Sequence, residues 1–555
     1  MSILKNIIPA FDWLSTYNKK DLSGDISAGL IVAVMLIPQS MAYAMLAGLP
    51  PVIGLYSSTI PLLIYALFGS SRQLAVGPVA MVSLLVFTGV STLAEPGSQA
   101  FISYTLLLSL MVGVIQLAMG LFRLGSLVNF LSHAVISGFT SAAAIIIGLS
   151  QLKHLLGVDL EKGQNVFLLL WDAIQKMSKT HPITFIIGLL SMILLLVFKR
   201  ILPRFPGPLL VVALATFTVY FFGLNQSGVK IVGEIPSGVP SFSLPGFSME
   251  SIGTLLPIAL TISFVGFMES IAVAKAIASR EKYKINSNQE LNALGLANIV
   301  GSFFSSYPVT GGFSRSAVNY QAGARTGLAS IITVAIIIVT LLFFTPLFYY
   351  LPKAVLAAIV MVAVFGLIDI QEAIHLFRVK STDGWTLLTT FFATLTLGIE
   401  KGILFGVALS LLLFILRSAK PHTAELGYVE EQNIYRNIQR FPEAQTFPQT
   451  LILRVDASMY FANMSFLEEI IRKKLEEKPD TKQVILDFSG VNDIDAVALD
   501  ILQELMDNYK QAGIDFRIAA MKGPVRDLAE RAGWKEKFGK NIAYPTVKQA
   551  LEILH

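Results

Sequence analysis

The sequence contains no cysteine and little charge. Only 14% of its 555 residues are Asp, Glu, Lys or Arg, whereas 54% are hydrophobic. Without cysteine the chain forms no disulfide bonds and no thiolate metal sites. Soluble globular domains carry about 25% charged residues. A composition this poor in charge and this rich in apolar residues predicts an α-helical, polytopic membrane protein.

Long stretches of the chain contain no Asp, Glu, Lys or Arg at all. Each exceeds the roughly 20 residues that cross a hydrocarbon core as a helix. Four such stretches are 26–71, 96–122, 205–229 and 326–352. The N-terminus has no short apolar region followed by a small-residue cleavage site, so we expect the first span to be retained.

Basic residues recur in the loops after every second span, which predicts that these loops face the cytoplasm. They are Lys19, Lys20, Arg72, Arg123, Lys199, Arg200, Arg204, Arg280, Lys282, Lys284, Arg325, Arg378, Lys380 and Arg417. We expect about fourteen crossings of the plasma membrane, two of them too short for a full span, with both termini cytoplasmic. The loop 153–181 fits poorly because it holds four lysines. The net charge of +5 follows from this bias and implies no nucleic-acid partner.

The composition changes after Arg417, where charges become dense. Strand-like runs "LILRV" (451–455), "QVILDF" (483–488) and "DFRIAA" (515–520) alternate with helical patterns. Such alternation is typical of a small α/β domain. The predicted division is a cytoplasmic segment 1–20, a membrane domain 21–420 with repeats near 21–225 and 250–420, and a cytoplasmic domain 425–555.

Two apolar runs are interrupted by glycine and proline at matching places in the two halves. They are "QLAVGPVAMVSLL" (73–85) and "YPVTGGFSRSAVN" (307–319). Paired interruptions of this kind predict an inverted-repeat transporter with its substrate between two half-helices. The free N–H groups and the dipoles at the half-helix N-termini attract an anion. Glycines such as Gly77 and Gly312 allow the backbone to approach it closely.

Arg315 follows Ser314 directly behind the second interruption. An arginine at membrane depth costs about 2.5–3.5 kcal/mol or more, and a cation at a helix N-terminus is itself unfavourable. A bound anion offsets this cost, with Arg315 supplying charge and Ser314 a hydroxyl donor. The alternatives are that Arg315 pairs with a carboxylate or that its long side chain reaches the membrane surface.

The motifs that carry a family resemblance are "LIPQSMAYAMLAGLPPVIGLYSS" (36–58), "FGSSRQLAVGPVA" (68–80) and "GGFSRSAVNYQAGARTGLAS" (311–330). Together they resemble the SulP family of anion transporters, related to the mammalian solute-carrier anion exchangers and prestin. The tail resembles a STAS domain. The resemblance implies a seven-plus-seven inverted repeat with a core domain that carries the ion, a gate domain, and a homodimer.

The function that the resemblance implies is secondary active transport of inorganic anions, with sulfate as the first choice. Transport is expected to proceed by elevator-type alternating access and to be coupled to protons. Alternatives are sodium-coupled bicarbonate transport, dicarboxylate transport, a nucleobase carrier on the same fold, or an anion channel. We expect no enzymatic activity, no cofactor and no metal site. A primary pump is disfavoured because no GxxxxGK[ST] motif occurs.

The resemblance also implies an anion site. Carried over by position, it comprises Gln39, Tyr43, Val79, Ala80, Gly312, Ser314 and Arg315. Gln39 follows Pro38, so its side chain could instead bond to backbone that the proline frees. Tyr43 lies one turn further on the same face, where an aromatic ring could simply pack. Several animal relatives have phenylalanine at the position of Val79, so this chain lacks that ring.

Glu269 ends another apolar segment, where an ionised carboxylate is costly. The resemblance places it in the eighth helix, beside the substrate. A carboxylate at such a position is readily held in its neutral form and can accept and release a proton, which suits a proton-coupling role. A sodium site formed by Glu269 and Thr310 is the rival hypothesis, since a bicarbonate relative has aspartate here. The third alternative is a structural ion pair with Lys275 or Arg315.

The tail motif "ILDFSGVNDIDAVALDIL" (485–502) resembles the strand, loop and helix of STAS domains. In the anti-sigma-factor antagonists a phosphorylated serine lies at the position of Ala496. Without that hydroxyl this site cannot be phosphorylated. The tail is expected to support folding or dimer contacts, or to bind a cytoplasmic partner.

Overall fold

The computed structural model describes residues 8–126, 132–160, 166–201, 206–246 and 249–551. Within it the chain forms two compact units, which divide between Ser410 and Leu411. The first unit is helical, and the second is an α/β domain.

Residues 10–419 form helices joined mostly by short turns. In chain order they are α1 Ala10–Ser15, α2 Leu22–Leu46, α3 Pro51–Tyr56, α4 Ile60–Phe68, α5 Ala80–Val90, α6 Gln99–Leu121, α7 His133–Ser150, α8 Leu152–Leu156, α9 Val166–Gln175, α10 Pro182–Ile201, α11 Gly207–Phe222, α12 Met249–Glu281, α13 Ser287–Ser302, α14 Phe313–Gln321, α15 Leu328–Val339, α16 Lys353–Phe365, α17 Ile370–Val379, α18 Ser381–Leu397 and α19 Ile399–Ala419.

Nine segments in the described residues are long and apolar enough to cross a membrane. Counting the five shorter helices α5, α11, α13, α14 and α18 with these nine would give the fourteen crossings that the sequence predicts. Helices α5 and α14 have only 11 and 9 residues, respectively. They are the two short crossings that the sequence predicts, and each is the third helical crossing of its half. The chain is therefore a multi-pass membrane protein.

Small residues let the helices of this unit approach closely. Helices α6 and α13 meet at Gly113 and Gly295. A methyl group at Gly113 would lie 2.6 Å from the backbone nitrogen of Ile299, and one at Gly295 would lie 2.6 Å from that of Leu117. Both distances are too short for a side chain. This close packing of two helix backbones is typical of membrane proteins, where small residues replace the hydrophobic driving force.

A two-stranded antiparallel ribbon joins the two halves of the membrane unit. Strand β1 (Val76–Gly77) pairs with strand β2 (Thr310–Gly311) in the register Val76 to Gly311 and Gly77 to Thr310. A further bond runs from the Gly312 N–H to the Ala75 carbonyl, at 3.1 Å. The ribbon satisfies backbone groups that interrupted helices would otherwise leave unpaired within the membrane.

The second unit is built on one five-stranded sheet. Its spatial order is β4-β3-β5-β6-β7, with β5, β6 and β7 parallel and β3 antiparallel to both of its neighbours. The strands are β3 Thr423–Val429, β4 Ile434–Asn437, β5 Thr450–Val455, β6 Gln483–Asp487 and β7 Asp515–Ala519, and the helices are α20 Phe461–Glu477, α21 Ala496–Gln511, α22 Gly523–Arg531, α23 Trp534–Phe538 and α24 Val547–Leu551.

The predicted strands of this unit are confirmed, because β5, β6 and β7 coincide with the three strand-like runs. Strand β6 is buried at every position, as an apolar central strand should be. The edge pair β3 and β4 was not predicted.

Ala496 begins α21, where the Asp495 side chain caps the helix by accepting from the Ala498 N–H at 2.7 Å.

Candidate anion site

The ribbon positions two helix N-termini close to each other. Helix α5 begins after Val79 and α14 begins after Gly312, and both of these capping residues have extended backbone. Neither cap provides a side-chain hydrogen bond to its helix. The first-turn N–H groups of both helices therefore lack intrahelical acceptors and present partial positive charge.

A cavity of about 60 Å³ lies at these two N-termini. Eight of the nine residues proposed from the sequence for the substrate or the coupling ion line it, with α2, α5, α12 and α14 each contributing. The lining residues are Gln39, Tyr43, Val79, Ala80, Met81, Glu269, Gly312, Phe313, Ser314, Arg315, Ala363, Val364 and Leu367.

Arg315 is the dominant charge of the cavity. The residue is 1% exposed, so its side chain does not reach the membrane surface. Its Nη1 donates to the Pro78 carbonyl, whereas Nε and Nη2 are buried without a hydrogen-bond partner. Two orphaned donors on a buried cation are costly. A ligand that accepts hydrogen bonds would satisfy both.

Gln39 and Tyr43 share one face of α2, as their spacing predicts. Gln39 Nε2 donates to the Tyr43 hydroxyl at 2.9 Å. That nitrogen is therefore directed at a side chain and not at backbone freed by Pro38. Gln39 Oε1 is buried without a partner. This small polar pair closes the side of the cavity formed by α2.

Of Glu269 and Thr310, proposed together for a cation, only Glu269 lines the cavity. The Glu269 Oε2 atom is buried without a hydrogen-bond partner. The Thr310 hydroxyl instead donates to the Gly266 carbonyl and lies 2.6 Å from the Ser270 hydroxyl. Thr310 therefore ties β2 to α12 and does not line the cavity.

Five lining residues were missed by the sequence analysis. Met81 and Phe313 are the second and first residues of the two half-helices, and the other three lie on or just after α16. Ala363, Val364 and Leu367 belong to an apolar segment whose composition resembles that of every other span. Only their packing opposite Arg315 identifies them. They form an apolar wall facing the polar half of the cavity.

Comparison with known proteins agrees with this architecture. The model of the sulfate permease family matches residues 22–390, and the model of the STAS domain matches residues 441–550. Sulfate transporter 4.1, chloroplastic, from Arabidopsis thaliana is 42% identical over 99% of this chain and 83% of its own length. Sulfate transporter 1.2 from the same plant is 36% identical over 99% of this chain and 88% of its own length.

Solved structures show the same fold. The murine Solute Carrier 26 family member A9 anion transporter in the inward-facing state superposes with a TM-score of 0.92, at 27% identity, over 100% of this chain and 94% of the other. The transmembrane domain of a cyanobacterial bicarbonate transporter superposes with a TM-score of 0.61, at 24% identity, over 71% of this chain and 97% of the other. This chain belongs to the sulfate permease family.

Proposed function

We propose that this protein is a secondary transporter that moves a small divalent oxyanion, sulfate in the first place, through the cavity at Arg315. The observation that carries the proposal is the pair of unpartnered guanidinium donors, Nε and Nη2, in a cavity at two helix N-termini. Charge-assisted hydrogen bonds from a guanidinium suit an oxyanion particularly well. The relatives named as sulfate transporters support the same substrate.

The charge of the cavity favours a divalent ion. Arg315 supplies one positive charge, and each helix N-terminus contributes roughly half a charge. The sum is about +2 when Glu269 is neutral, which matches sulfate. Ionised Glu269 reduces the sum to about +1. Protonation of Glu269 therefore favours binding of the divalent anion, and this is the physical basis for proton coupling.

The size of the cavity bears on the alternative substrates. Pockets for drug-sized ligands have volumes of about 300–1,000 Å³, far above the 60 Å³ observed. This space suits an inorganic ion better than a nucleobase or a dicarboxylate. A nucleobase would also leave the charge of Arg315 uncompensated. Bicarbonate fits by size, but its single charge matches the site only when Glu269 is ionised.

Alternating access follows if the cavity moves with its polar helices. Helices α2, α12 and α14 carry the charged and polar side chains of the lining, α5 contributes its N-terminus, and α16 with the turn after it supplies the apolar wall. Sliding the polar set against α16 would carry the ion across, as in an elevator. Sodium coupling is the weaker alternative because Thr310, the second residue of the proposed sodium site, does not line the cavity. A homodimer in the plasma membrane with cytoplasmic termini completes the proposal.

The experiment that tests the proposal is uptake by proteoliposomes. Purified protein would be reconstituted and offered radiolabelled sulfate in competition with unlabelled selenate, bicarbonate, chloride, succinate and uracil. Sulfate should accumulate, and selenate should compete best because it has the same charge and shape. Stronger competition by uracil or succinate than by selenate would refute a site for a small divalent ion.

A methyl group at Gly312 should impair transport by displacing Arg315. An added Cβ would lie 2.8 Å from Arg315 Nη2 and 3.0 Å from its Nε. The Gly312 backbone is compatible with alanine, so the effect is steric. We expect sulfate uptake by Gly312→Ala to fall about tenfold or more, since overpacking costs about 1–3 kcal/mol. The control is Gly253→Ala in α12, where a Cβ meets no atom within 4 Å. Equal uptake by both variants would contradict this account.

Removal of the α/β unit should alter the amount of expressed protein or the rate of transport but not the preference among anions. All cavity-lining residues precede the unit boundary at Ser410. A protein ending at Lys420, which lacks the whole sheet, should therefore express less or transport more slowly while keeping the same order of anion preference. The measurement is the competition panel in proteoliposomes, normalised to inserted protein. A changed order of preference would show that the tail contributes to the site.

A further inference from the structure

Helix α9 has an apolar face that the described part of the chain leaves uncovered. The helix has 10 residues, and it meets the rest of the unit through Val166 and Ala173, which are buried. Large apolar side chains project on another side of the helix and from the turn after it: Leu168 is 64% exposed, Trp171 63%, Ile174 64% and Met177 66%.

Helix α9 is too short to span a hydrocarbon core by itself, as α5 and α14 also are. Ten residues of α-helix extend about 15 Å, which is half of a hydrocarbon core of about 30 Å. The helix is followed by a 3-10 turn, Met177–Lys179, and α10 begins at Pro182. Helix α9 therefore lies at the membrane boundary where α10 begins.

Neighbouring contacts fix that boundary. His181 precedes α10, and its Nε2 lies 2.8 Å from the Ser227 carbonyl in the turn after α11. The start of α10 and the end of α11 therefore lie on the same side of the membrane. Within α10 itself only 22% of the residues in its apolar window are buried, so most of this apolar span faces outward from the unit. The exposed apolar face of α9 thus continues along the chain into a lipid-facing helix.

The charges next to α9 fit a lipid surface. Lys176 bonds to Asp172 on the helix and to the Asp159 carbonyl at 3.1 Å, so it is held against the protein. Lys179 is exposed in the turn. Tryptophan is enriched at membrane–water boundaries, and lysine stems extend from apolar surface to water. This placement gives Lys176 and Lys179 a role independent of the cytoplasmic bias.

We propose that α9 is an interfacial helix that lies along the membrane surface, with Leu168, Trp171 and Ile174 inserted between lipid headgroups and acyl chains. The partner is the lipid bilayer of the leaflet where α10 begins. An amphipathic helix with a broad apolar face and a tryptophan binds such a boundary. A second copy of the chain is the competing occupant, which the experiment distinguishes.

The absence of cysteine makes a site-specific test direct, because one introduced cysteine accepts one nitroxide label. Ile174→Cys and Leu168→Cys would be labelled and reconstituted in liposomes, with Ile193→Cys in α10 as the lipid reference. Gln226→Cys, in the turn beside His181, is the water reference. Collisions with oxygen, which concentrates in lipid, and with a water-soluble nickel chelate would be measured by electron paramagnetic resonance. Sulfate uptake by each labelled variant serves as the check of folding.

Labels at 168 and 174 should give an oxygen-to-nickel collision ratio several-fold above the label at 226 and below the label at 193. A ratio equal to that at 226 would place the face in water and refute the proposal. Low collision rates with both reagents, together with dipolar broadening that disappears on dilution with unlabelled protein, would assign the face to a second copy and also refute it.

Discussion

Arg315→Ala should abolish measurable sulfate accumulation while the protein remains monodisperse in detergent. An anion about 4 Å from the guanidinium gains about 4 kcal/mol per unit of its charge at an effective dielectric constant of about 20. Loss of that term weakens binding at least about 100-fold. The smaller side chain also removes the costly orphaned donors, so folding should tolerate the change. Binding would be measured with labelled sulfate on purified protein, and transport in proteoliposomes.

Two further variants make the result specific to the cavity. Arg325→Ala removes an arginine that pairs with Glu281 at 3.1 Å and is 54% exposed, so it should transport like the wild type. Arg315→Lys keeps the charge but loses the forked geometry, so it should recover only part of the activity. Undiminished sulfate binding by Arg315→Ala would rule out the role assigned to this residue.

Glu269→Gln should separate binding from coupling. Glutamine keeps the shape of the side chain but fixes it in a neutral form, so the charge of the cavity stays at about +2 at every pH. Wild-type uptake should rise when the outside is more acidic than the inside, because proton and divalent anion favour each other's binding. The variant should lose this gradient-driven accumulation and retain exchange of external for internal sulfate. Both activities would be measured in the same proteoliposomes.

Controls for coupling use the same helix and the rival ion. Glu281 is the last residue of α12, at the end that is predicted to face the cytoplasm. The variant Glu281→Gln should respond to a pH gradient like the wild type. Uptake would also be measured with a sodium gradient and with no gradient. Accumulation that depends on the sodium gradient and not on the pH gradient would show that sodium, and not the proton, is the coupling ion. Equal accumulation by Glu269→Gln and wild type under a pH gradient would remove Glu269 from coupling altogether.

The sequence was most informative where it departs from a uniformly apolar span. The interruptions at 73–85 and 307–319 predicted the half-helices because glycine and proline leave few alternatives inside a membrane. Arg315 and Glu269 were identifiable because each is costly at its position. The residues carried over from the family resemblance, Gln39 and Tyr43, also line the cavity. These are local signals that one chain can display.

Features that depend on tertiary packing were not predictable in this way. The sequence does not distinguish the wall formed by Ala363, Val364 and Leu367, because its composition matches that of every lipid-facing span. Thr310 was proposed for a cation from the resemblance to a bicarbonate transporter, and the sequence does not reveal that its hydroxyl donates to the Gly266 carbonyl. The short pairing of β1 with β2 joins residues more than 200 positions apart. No periodicity within either segment specifies such a partner.

The central claim is that an oxyanion binds between the N-termini of α5 and α14. The most direct measurement is a crystal structure of the protein with selenate, using anomalous scattering from selenium to locate the ion. The account predicts a peak in the cavity, about 4 Å from Arg315 Nε and Nη2, as oxyanion hydrogen bonds require. A selenate peak elsewhere, with this cavity empty in a preparation that still transports selenate, would contradict it.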